Sequence, residues 1–104
     1  MANKEIPILD EKDIFERLKD LSGWEYKDDK ISKEFKFKDY IEVINFMDSL
    51  TEVFQETDHH PDIHIYYSRV VFELSTHSSG NKVTEIDFII ASEIERVYRS
   101  RCFF

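Results

Sequence analysis

Residues 39–61 constrain the fold of this 104-residue chain more than any other stretch. Asp39 followed by Glu42 is a capping-box-like helix start, in which the cap side chain bonds a free N–H of the first turn and the acid reaches back. Val43, Phe46, Met47, Leu50 and Phe54 then recur at three- and four-residue spacing, the stripe of a helix that buries one face. This helix is expected to run to about Gln55 or Glu56. Thr57-Asp58-His59-His60-Pro61-Asp62 is then a connection, because proline drives the residue before it out of helical geometry.

Strand-like segments lie on both sides of that helix. Trp24-Glu25-Tyr26 and Ile31–Phe37 flank Lys27-Asp28-Asp29-Lys30, and the second alternates apolar and polar residues with period two, which spells a hairpin. Ile63 to Thr76 is dense in Ile, Val, Tyr and Phe and reads as β. Whether Tyr67-Ser68-Arg69 splits it into two strands stays open at this level. A first helix is expected from an Asp10 cap with Asp13 at the third position, burying Ile14, Leu18 and Leu21 and stopped by Gly23. A third opens at Thr84, with Asp87 three residues on, and buries Ile86, Ile90, Ile94 and Val97. Hairpins separated by helices favour an α+β fold, α-β-β-α-β-β-α, with a four-stranded antiparallel sheet and three helices packed on one face. No linker or repeat divides residues 1–104, so one domain with a lead-in at 1–9 is expected.

Charge narrows the function. The chain carries a net −8 with a pI near 4.9, a surface that repels a phosphate backbone, so direct nucleic-acid binding is not expected. Arg96, Arg99 and Arg101 read as last-turn helix charges. No apolar run is long enough for a membrane span or a signal peptide. The single cysteine, Cys102, forms no internal disulfide, which suits a reducing compartment; the expected address is the cytoplasm.

Three of the four histidines, His59, His60 and His77, fall near one end of the elements just drawn. Imidazole titrates near neutrality and can give or take a proton. Rings converging on one hollow would suit proton transfer on a neutral heterocycle. His64 is expected to be an ordinary surface residue. Trp24 is either core filling or a pocket wall, and Asp87 suits a helix start whatever the chemistry. No cysteine lies near the histidines and Asp62 is the only close carboxylate downstream, so no metal is expected. With two glycines in all there is no phosphate-binding loop.

Taken together, Leu21-Ser22-Gly23-Trp24, Phe35–Tyr40, Asp58-His59-His60-Pro61-Asp62, Leu74-Ser75-Thr76-His77 and Asp87 resemble the pterin-4a-carbinolamine dehydratases. His-His-Pro, then Tyr67, His77 and Asp87 at successive intervals, match that family's motif. The resemblance implies removal of water from a 4a-hydroxytetrahydropterin to give the quinonoid dihydropterin, in tetrahydrobiopterin recycling. The histidines matched by His59 and His77 are implied to be the proton-transfer pair, and that matched by His60 a binding and orienting group. Asp87 is expected to fix a histidine tautomer; Pro61, Trp24 and Gln55 complete the implied support. Gln55 departs from the charged residue usual there, so a shifted pH optimum is expected. The pterin is substrate, with no cofactor, no metal and no membrane implied. A homodimer or homotetramer is expected. The alternatives are a non-catalytic dimerisation or transcriptional-cofactor module, and a pterin-binding protein of the same fold.

Overall fold

The computed structural model describes residues 7–100. Cys102, Arg101 and residues 1–6 of the lead-in lie outside them. The order is α1 (Glu11–Leu18), β1 (Glu25–Lys27), β2 (Lys30–Lys36), α2 (Tyr40–Thr57), β3 (Asp62–Tyr66), β4 (Arg69–Leu74), a one-turn 3-10 helix (His77–Ser79) and α3 (Glu85–Ser100). The strands form one antiparallel sheet in the order β1-β2-β4-β3, which leaves β1 and β3 as its edges.

Local chemistry sets the boundaries. Asp10 and Asp39 cap α1 and α2, each accepting from the backbone N–H three residues on at 2.9 Å. The β1–β2 turn holds Asp28 and Asp29 at φ of 53° and 62°, the left-handed pair that matches the twist of a two-residue hairpin. The long β-rich stretch is two strands, turning at Tyr67 and Ser68 with Tyr67 at φ 46°. α1 ends at Leu18, a turn earlier than its apolar spacing suggests. Leu21 is still buried, but it packs from the turn that follows.

One face of the sheet carries Ile31 and Phe35 of β2 with Val70, Phe72 and Leu74 of β4, all buried against the helices. Ile14 of α1, Val43, Phe46, Leu50 and Phe54 of α2, and Phe88, Ile90, Ala91 and Ile94 of α3 complete that core. The face α3 buries is turned from the one expected. Ile86 and Val97 are only partly covered, whereas Asp87 and Glu95 are buried. A buried carboxylate is tolerated when its oxygens are hydrogen-bonded. Glu95 meets this by accepting from Trp24 Nε1 at 2.9 Å and Lys33 Nζ at 2.5 Å.

Candidate active site

The site forms where the sheet's β4 end meets the start of α3 and the chain leaving α2. α2 closes on Asp58 in the left-handed conformation (φ 53°), its N–H bonded to Gln55 O. That turn points the chain across the sheet end, and buried Pro61 fixes its exit into β3. Beyond β4, Thr76 bridges Lys82, and His77 opens the 3-10 turn. His77 therefore sits one short step past the strand rather than on it.

Asp87 anchors the inner side of this junction and is fully buried (0 % exposed). Its Oδ2 accepts from the Thr84 backbone N–H and the Thr76 hydroxyl, both at 2.9 Å, while Oδ1 lies 2.7 Å from His59 Nε2. The Thr84 hydroxyl lies 2.7 Å from that of Thr76, and its oxygen accepts from Ile86 N–H at 3.3 Å. Since Thr76 gives its proton to Asp87, the Thr84 hydroxyl donates to Thr76. An ionised carboxylate only accepts, so His59 carries a proton on Nε2 and turns Nδ1 away from Asp87. With its side chain 10 % exposed, His59 is held and still reachable.

Two open depressions flank the Thr76-His77 segment. One, about 340 Å³, is lined by Thr57, Asp58, His59, Thr76, His77, Ser78 and Ile86. The other, about 310 Å³, is lined by Lys30, His60, Asp62, Glu73, Ser75, His77 and Asn81. His77 belongs to both. His59 borders the first depression and His60 the second, with His77 common to both. Consecutive residues of an extended chain point opposite ways, and the residue before a proline is held extended.

The remaining expected residues fall elsewhere. Trp24 is in the core, its indole N–H on Glu95, and lines neither depression. Pro61 is buried and shapes the chain without lining either hollow. Gln55 is exposed on α2 and also lines neither. A shifted pH optimum needs Gln55 to stand beside a histidine; from this exposed position Gln55→Glu is expected to leave the pH–rate profile where it is. A shift of the profile by half a pH unit or more, about 0.7 kcal/mol, would restore that argument. His64 is half-exposed and faces Glu73 at 3.4 Å. Lys30, Glu73 and Ser75 line the second depression without having been expected there. Their signal was the alternation itself: Glu73 and Ser75 share the side of β4 opposite Leu74. Among the described residues no group of three or more His, Cys, Asp or Glu is arranged to hold a metal ion.

Residues 7–97 match the family model described as pterin 4 alpha carbinolamine dehydratase. The chain belongs to this family. Among pterin-4a-carbinolamine dehydratase relatives, a protein of Sulfolobus acidocaldarius that bears the family name provisionally is 47% identical over 89 residues, 86% of this chain and 97% of its own. One from Picosynechococcus, named in the same provisional way, is 38% identical over 89 residues, 86% of this chain and 96% of its own. A solved structure from Brucella melitensis, titled transcriptional coactivator/pterin dehydratase, superposes with a TM-score of 0.84 at 35% identity, over 88% of this chain and 99% of that one. A pterin dehydratase-like protein described as a RuBisCO assembly factor in the alpha-carboxysome shares the fold alone, with a TM-score of 0.59 at 24% identity. Its coverage is 72% of this chain and 86% of that one. The α+β architecture read from the sequence is the architecture of this family. Among the described residues no helix is long and apolar enough to cross a membrane.

Proposed function

We propose that this chain is a 4a-hydroxytetrahydrobiopterin dehydratase, a hydro-lyase working by histidine acid/base catalysis in tetrahydrobiopterin recycling. The observation that carries the reading is His59, tied through Nε2 to buried Asp87 and sharing a depression with His77. In the reaction the C4a–O bond breaks as the hydroxyl takes up a proton and leaves as water. The proton on N5 is removed, and its electron pair forms the C4a=N5 bond. One imidazole supplies the first proton and another accepts the second. His59 and His77 are the proposed pair and His60 the proposed orienting group. The chemistry asks for no cofactor or metal, the pterin being the substrate.

A freshly generated 4a-hydroxytetrahydropterin, followed by its ultraviolet spectrum, tests this. Faster decay with the protein than without supports it; decay at the uncatalysed rate overturns it. Cytoplasmic residence fits the same reading, since the substrate comes from hydroxylases that use tetrahydropterin.

A homodimer or homotetramer is part of the proposal. Among the described residues, edge strand β3 has no neighbour on its outer side, and it carries half-exposed Ile65 and Tyr66. Tyr67 beyond it is 72 % exposed and stacks on Tyr40 at 6.2 Å. An apolar edge of this kind pairs with another strand unless it is covered. Ile65→Lys is expected to lower the sedimentation mass at micromolar concentration; a wild-type chain that already sediments as a monomer would refute the assembly. The other reading, a partner-binding module, draws on the coactivator title of the Brucella structure and on exposed Ile41 and Ile44 of α2. It predicts no acceleration of decay at all.

A further inference from the structure

The depression beside His60 contains a held carboxylate that proton transfer does not use. Glu73 stands on the face of the sheet away from the helices, opposite Ser32 in β2 and Asp62 in β3. Its Oε1 accepts from Lys30 Nζ at 3.3 Å and lies 3.4 Å from His64 Nε2. One partner comes from β2 and the other from β3, so the carboxylate is gripped from both flanks. Partial burial opposes its charge, but the hydrogen bonds and charges of Lys30 and His64 outweigh that and hold its carboxyl below the ordinary glutamate value. Oε2 has no hydrogen-bond partner among the described residues. Glu73, Lys30 and Asp62 line one hollow with His60 and His77. Two acids against one lysine leave negative charge in excess, a wall that favours a donor-rich ligand edge over an anionic one.

We propose that Glu73 is the specificity-determining residue of this site, accepting hydrogen bonds from the 2-amino-4-oxopyrimidine edge of a pterin. The inference rests on the dehydratase reading and says which edge of the substrate is recognised and by what. That edge presents a ring N–H beside an exocyclic amino group, two donors that the two lone pairs of one carboxylate oxygen can accept. Lys30 and His64 hold Glu73 through Oε1, which leaves Oε2 available. With the donor edge seated there, the ring fusion that carries the 4a-hydroxyl turns toward His77, the residue common to both depressions.

The test compares pterin with lumazine, its 2,4-dioxo analogue, by equilibrium binding monitored through ligand fluorescence. Lumazine sets a carbonyl where pterin has the amino group, and a site built for donors rejects such an analogue. The wild-type protein is expected to prefer pterin by about tenfold or more, and Glu73→Gln to reduce the preference to within about threefold. In the decay assay, Glu73→Gln is expected to raise KM about tenfold with kcat within about twofold, because the donor edge is bound alike in ground and transition states. A residue that merely braced the strands would depress kcat or stability instead. Equal binding of the two ligands by wild type, or an unchanged preference in Glu73→Gln, overturns the inference while leaving the dehydratase reading intact if decay is still accelerated. Absence of both pterin binding and acceleration overturns the reading itself and the inference with it.

Discussion

Alanine in place of His77 is expected to slow dehydration by about 10²- to 10⁴-fold, the range for loss of a positioned general acid or base. Thermal unfolding should stay close to wild type, because His77 is exposed. His59→Ala is expected to give a similar loss of rate together with a different physical signature. It strips Asp87 Oδ1 of its partner inside a fully buried environment. A buried polar group left without its bond destabilises by about 1–3 kcal/mol. Urea titration beside the decay assay separates the two: His77→Ala loses rate alone, His59→Ala loses rate and stability. A His77→Ala protein with rate within about threefold of wild type, far short of the loss a general acid or base gives, removes that residue from the chemistry.

The same distinction between local and long-range partners explains what the sequence could disclose. α2 was readable at both ends because its cap, its stripe and the proline after it are all local signals, and Asp39 does bond Glu42 N–H. The end of α1 was misread because periodicity cannot tell Leu21 on a helix from Leu21 packing out of a turn. The Tyr67-Ser68 turn stayed open because tyrosine at positive φ belongs to no turn preference. The face of α3 was misjudged because Asp87 and Glu95 are buried by partners 28 and 71 residues away, which no window of sequence contains. The site followed that pattern. His59, His60 and His77 were singled out by residue type and motif. That a proline-locked turn sets the first two beside different depressions sharing His77 required the fold.

Asp87→Asn is the sharpest test of how fold and chemistry are joined, because it exchanges one acceptor oxygen for a donor NH₂ with almost no change in volume. Oδ2 accepts two donors, Thr84 N–H and the Thr76 hydroxyl, so the amide oxygen has to stay on that side. The amide NH₂ is then forced toward His59 Nε2, only 2.7 Å away, and can only donate. His59 must accept there, which moves its proton to Nδ1 and inverts the tautomer that the carboxylate imposes. A base poised through Nδ1 is thereby silenced, and the rate is expected to fall about 10²- to 10⁴-fold. A buried aspartate that orients a histidine in this way acts by fixing its tautomer. Loss of a charge-assisted bond should lower stability by about 1–3 kcal/mol, leaving the chain folded. Nitrogen chemical shifts of the His59 ring report the tautomer directly. If the ring keeps its proton on Nε2, or the rate holds while stability falls, Asp87 serves only the start of α3.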